Sequence, residues 1–207
     1  MREDIDITSP SLTVRFNEKV ISEAEVRKLL DTMKPLTRVH AAKDYAFSVD
    51  LPVVITIIVV IASSYFAKGF FTRVGERLGE EVGSDAVRVY KKFKEGVARL
   101  AVRKAKGKKG TLRFELLYDS SPFEVHARVE SSNGRDFERA FDGLEDLMAV
   151  AGRDASEVKE SKREEVVRAH YRYSPGRREW VMIYAVTRSG RILSIEGRQT
   201  PISRRSS

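Results

Sequence analysis

The chain has no cysteine among its 207 residues. Disulfides, thiolate zinc sites and cysteine nucleophiles are therefore excluded. Histidine is nearly as scarce: only His40, His126 and His170 occur. None stands at a metal-ligand offset such as HxxxH or HExxH. The phosphate-cradling patterns GxxxxGK[ST] and GxGxxG are missing, as is the nucleophile elbow GxSxG. Asp142, Glu145 and Asp146 are neighbouring carboxylates, but a helix flank carries such groups routinely. No enzyme activity, cofactor or metal is expected on these grounds. The opening MREDIDITSP lacks an apolar signal segment, so the expected address is the cytoplasmic side of the inner membrane or the cytoplasm itself.

Long apolar runs are also rare, with one exception. Leu51–Ala67 reads LPVVITIIVVIASSYFA and carries no charge over 17 residues. Two structures suit it. A membrane-inserting helix needs about 20 apolar residues, and the run reaches Phe71 if Lys68 extends its ammonium to the interface. A fully buried strand is the alternative, because Val53–Ile61 holds eight β-branched aliphatic residues and Thr56, itself β-branched. Length is the tie-breaker, and on it the segment 51–71 is expected to be a single-pass transmembrane or inserted helix.

Charge is plentiful and unevenly placed. Charged residues make up 33% of the chain, and the net charge is +8. Residues 72–110 hold 12 basic and 5 acidic side chains, which accounts for most of that excess. Lys91, Lys92, Lys94, Arg103, Lys104, Lys106, Lys108 and Lys109 are the candidate contacts to anionic lipid or to phosphate. A basic block after an apolar run resembles a cytoplasmic juxtamembrane segment. Ahead of it, Gly75, Gly79 and Gly83 form GxxxGxxxG, a spacing that lets helix backbones approach and points to a homo-oligomer.

Elsewhere the apolar pattern predicts an α+β protein. Over residues 1–50, a strand at Leu12–Phe16, a helix from Ser22 to Met33 and a strand at Tyr45–Val49 make a small β-α-β unit. Ser22 and Glu25 have capping-box spacing, and Pro35 stops the helix. Residues 72–110 form glycine-spaced and basic amphipathic helices with a basic linker. In the second helix, Ser84-Asp85 forms the cap, and Tyr90 and Phe93 lie on the apolar face. Residues 111–197 read as a ββαβββ antiparallel sheet with one helix, which ends at Gly152. Period-2 alternation at Leu112–Tyr118 and Phe123–Glu130 predicts two strands paired as a hairpin, and that at Val167–Tyr173 a further strand, with His126 and His170 facing outward. Trp180, Met182, Tyr184 and Val186 are assigned to one face of a strand there. The tail 198–207 is expected to be disordered.

Together these features describe a non-enzymatic membrane-associated protein with a cytoplasmic recognition or regulatory domain. The alternative is a soluble α+β binding protein with residues 53–61 as a buried central strand. Its segment 88–109 would contact a protein partner or nucleic acid.

Overall fold

A computed structural model describes residues 11–43, 54–61, 82–118, 123–162 and 165–194. Among these, β1 (Ser11–Phe16), α1 (Glu23–Asp31) and β2 (Arg38–Lys43) come first. They are followed by β3 (Val54–Ile61), α2 (Val82–Ala105), β4 (Gly110–Tyr118) and β5 (Glu124–Ser131). Then come α3 (Gly134–Asp142), α4 (Leu144–Lys162), β6 (Val166–Ser174), β7 (Glu179–Thr187) and β8 (Ile192–Ser194).

All eight strands join one sheet in the order β2-β1-β3-β4-β5-β6-β7-β8. Three neighbouring pairs are parallel: β1/β2, β3/β4 and β5/β6. Parallel neighbours need a crossover rather than a tight turn. Helix α1 lies in the first crossover, α2 in the second, and α3 with α4 in the third. The other pairs are antiparallel, including the expected β4/β5 hairpin.

One apolar core lies between the helices and one face of this sheet. Leu12, Ile57, Phe114, Ala127 and Tyr171 supply the sheet side, and Val26, Phe93, Val97, Phe137 and Leu147 the helix side. Phe141 of α3 sits at its centre, edge-on to Phe114 at 4.9 Å between ring centroids. Tyr90 and Phe93 of α2 approach the same ring edge-on. As expected from its spacing, α2 turns these two aromatics inward. The periodic apolar residues of α2, Tyr90, Phe93, Val97 and Ala101, are all buried.

The expected membrane-inserting helix is corrected by β3. Residues 54–61 are a strand, hydrogen-bonded to β1 on one side and β4 on the other. No helix of the described residues is long and apolar enough to cross a membrane. Ile55, Ile57 and Val59 face the helices, while Ile58 points to the opposite face and is also fully buried. A strand buried on both faces reads as a continuous apolar run. Its β-branched side chains suit the pleated backbone.

Other expectations are refined by the same geometry. The capping box of α1 is present: the Ser22 N–H donates to Glu25 Oε2 at 3.0 Å, and the Glu25 N–H to Ser22 Oγ at 3.4 Å. The strand after α1 is Arg38–Lys43; the segment Tyr45–Val49 lies outside the described residues. Ser84-Asp85 does not cap α2, which starts earlier, at Val82.

The 111–197 region is neither wholly antiparallel nor built on one helix. Its strands continue the N-terminal sheet through β3/β4, and β5/β6 is parallel. The helix breaks at Gly143 rather than ending at Gly152. A Cβ at Gly143 would stand 3.2 Å from the Trp180 indole nitrogen, whereas one at Gly152 would meet open space. In β7 a register shift changes which residues share a face. Trp180 and Ala185 are buried, and Tyr184 pairs outward with His170. The tail 198–207 lies outside the described residues.

Candidate functional site

The second face of the sheet, away from the helices, carries what the pattern of each strand leaves outside the core. Strand register lines these residues up across the sheet. One row runs Arg15, Thr56, Arg113, Arg128, Arg172 and Val181, from β1 to β7. The adjacent row contains Ile58, Glu115, His126, His170, Tyr184 and Ser194, from β3 to β8. On β2, His40 aligns with Thr13 in that same row, so all three histidines of the chain share it. Near β1 and β3 this face is closed: Thr13, Thr56 and Ile58 are buried. From β4 to β7 it is accessible, with Arg113 and Arg172 exposed and the rings half-buried.

The rings form a pile. His126 and His170 lie 5.0 Å apart between centroids at an interplanar angle of 35°. His170 and Tyr184 stack at 4.1 Å and 21°. The imidazole of His126 meets Glu124 Oε2 through Nε2 at 3.0 Å, and Arg168 Nε donates to the same oxygen at 2.7 Å. Partial burial pushes the Glu124 carboxyl up, but the hydrogen bonds and charges of Arg168 and His126 outweigh it, so the net direction is down. His170 goes down to about 4, first through burial and then through the charges of His126 and Arg168. It is therefore a neutral ring at neutral pH.

Arg113, Arg128 and Arg172 are lateral neighbours on three adjacent strands, about 5 Å apart. Like charges directly opposite one another destabilise a sheet. Arg128 is offset by Glu130 at 3.3 Å. Among the described residues no carboxylate bridges Arg172.

The second basic surface is the outer stripe of α2. The structure divides the expected lipid or phosphate contacts into two groups. Lys94 is bound to Asp142 at 2.6 Å, Arg103 to Glu25 at 2.6 Å and Lys104 to Glu25 at 2.9 Å. These three tie α2 to α3 and α1. The Lys104 hydrogen bond and the Ser22 backbone hold the Glu25 carboxyl down at about 2. Lys91 and Lys92 of α2, and Lys106, Lys108 and Lys109 of the loop after it, remain exposed, and Arg99 joins them on the helix. Gly83 lies in the first turn of α2, and Gly75 and Gly79 lie outside the described residues.

Neither row of the sheet face was legible along the chain, because each collects one residue from each of several strands. Alternation at 123–130 and 167–173 marks outward positions but cannot say which become neighbours. No group of three or more His, Asp or Glu residues among the described residues is arranged to hold a metal. Comparison with family models, curated proteins and solved structures finds no match for this chain.

Proposed function

We propose that this protein is a non-enzymatic binding protein that engages nucleic acid through the exposed cations of α2 and the loop that follows it. The observation that supports this reading is how α2 divides its two faces. A helix that inserts into a lipid surface needs its apolar side at the interface. Here Tyr90, Phe93, Val97 and Ala101 are buried in the protein core. What remains outside is charge: Lys91, Lys92, Arg99, Lys106, Lys108 and Lys109 form a basic stripe along the helix and around its end. Such a stripe acts by neutralising a polyanion, without apolar insertion.

The test is the salt dependence of binding to a labelled oligonucleotide. Engaging these six cations on a single strand gives a slope of log K against log salt of about −4. Lys106→Gln, Lys108→Gln and Lys109→Gln together should flatten that slope by about 2. An unchanged slope would remove the α2 stripe from the interface. Binding to anionic phosphatidylserine vesicles at physiological salt, without oligonucleotide binding, would move the partner to a lipid surface instead.

A further inference from the structure

We propose that the accessible half of the second sheet face binds unpaired nucleotides, with Arg113, Arg128 and Arg172 along the phosphates and a base stacked on Tyr184. The proposal rests on the reading of nucleic acid as partner and adds the strandedness of the ligand. It also assigns a second contact surface, on the side of the sheet opposite α2.

Three observations point to it. The first is the arginine row. Its members are side by side, and no carboxylate is interleaved among them in that row. An anionic chain crossing the strands runs along this row, and arginine binds phosphate oxygens through its planar fork. The second is the ring pile in the next row, two residues further along each strand and therefore about 7 Å away. The His170 ring is stacked against Tyr184 on one side and approached by His126 on the other, so its own faces are taken. The third is where the pile ends. The lateral neighbour of Tyr184 on β8 is Ser194, an exposed residue too small to cover a phenol ring. A planar base placed there continues the pile by one layer.

Phosphates on one row and a base on the other is the arrangement of a strand with unstacked bases. In a duplex the base faces are stacked on one another and do not reach such a pile. The mixed character of the face supports the same choice. A positively charged track with aromatic stacking is the combination by which sheets hold single strands without needing a sequence code.

The test uses the full chain and two fluorescent probes, a single strand of about 12 nucleotides and the duplex made from it. Tyr184→Leu removes the stacking surface, and Ser194→Trp fills the space beside it while leaving every arginine in place. Each should weaken single-strand binding about tenfold and leave duplex binding unchanged. Arg113→Gln with Arg172→Gln should do the same and also lower the salt slope for the single strand by about 1 to 2. Thermal melts of all variants establish that the fold is kept, and Ser194→Trp lies on an exposed edge outside the core. If Tyr184→Leu, Ser194→Trp and the arginine pair all bind the single strand as the parent does, the sheet site is overturned while the α2 reading stands. If single-strand binding falls with these variants but ignores the Lys106, Lys108 and Lys109 replacements, the sheet site stands and the α2 reading fails. If the parent protein binds neither probe, both are overturned.

Discussion

β3 and the β5–β6 pair belong to the same sheet and present opposite patterns. Strand β3 has Ile55, Ile57 and Val59 against the helices and Ile58 buried on the reverse side. Strands β5 and β6 bury Val125, Ala127, Val129, Ala169 and Tyr171 on the helix side only. Their reverse side carries arginine, histidine and glutamate. The first strand is closed on both faces and contributes stability. The second pair is closed on one face and holds polar groups where a ligand can reach them. A single sheet can therefore divide its labour by position: β1 and β3 anchor the fold, and β4 to β7 present a surface.

Substitutions that separate the two faces test this division. The largest effects belong to β3. Ile57→Ala and Ile58→Ala should each cost about 2 to 5 kcal/mol in chemical denaturation, because both remove packed methyl groups from closed space. An Ile192→Ala control at a site 70% exposed should change little. A neutral Ile58→Ala would mean that the reverse face of β3 is not closed, and the contrast with β5 would dissolve.

A smaller effect is expected where α1 meets α2. Glu25→Ala removes the reciprocal cap of α1 and the partner of Arg103 and Lys104. About 1 kcal/mol should be lost, read as a shift in denaturation midpoint. Because this carboxyl is held at about 2 in the folded chain, below its ordinary 4.5, its contribution is present above pH 4.5. It is lost as the pH falls through about 2.

The ring pile gives a pH signature of its own. His170 stays neutral in the folded protein down to about 4 but takes up a proton at 6.5 when unfolded. The unfolded chain therefore binds more protons between those values, and stability declines as the pH falls from 6.5 towards 4. Melting temperatures measured at several pH values should show this decline in the parent and a reduced one in His170→Gln. A decline of the same size in both would place its origin elsewhere.

The smallest effect on stability is expected at Arg172→Ala, within about 0.5 kcal/mol. A gain there would be informative in itself, since removing one arginine relieves its neighbour Arg128 on the adjacent strand.

Local pattern carried much of the element order. The period-2 alternation at Leu112–Tyr118 and Phe123–Val129 identified a hairpin that the structure pairs residue for residue. Ser22 and Glu25 announced the start of α1, and the inward positions of Tyr90 and Phe93 followed from helical spacing. The apolar run at 51–71 was harder, because a buried strand and a membrane helix share a composition and differ only in what surrounds them. Gly152 resembled a helix stop but sits in open space. The break falls instead at Gly143, where a side chain would crowd Trp180, a residue far away in sequence. The outward side of β7 could not be assigned from alternation, since the register shift beside His170 and Tyr171 moves Tyr184 across the sheet.

The sequence by itself determined where α1 starts, which face of α2 is apolar, and that the basic excess gathers in residues 72–110. These are properties of neighbours along the chain, read through periods of two and 3.6 residues. Tertiary structure alone decided that β3 pairs with β1 and β4, that Lys94, Arg103 and Lys104 are tied to acidic partners while the other lysines stay exposed, and that three arginines and three rings line up across strands. Those outcomes depend on strand order and register, and register is set by packing between segments remote in sequence.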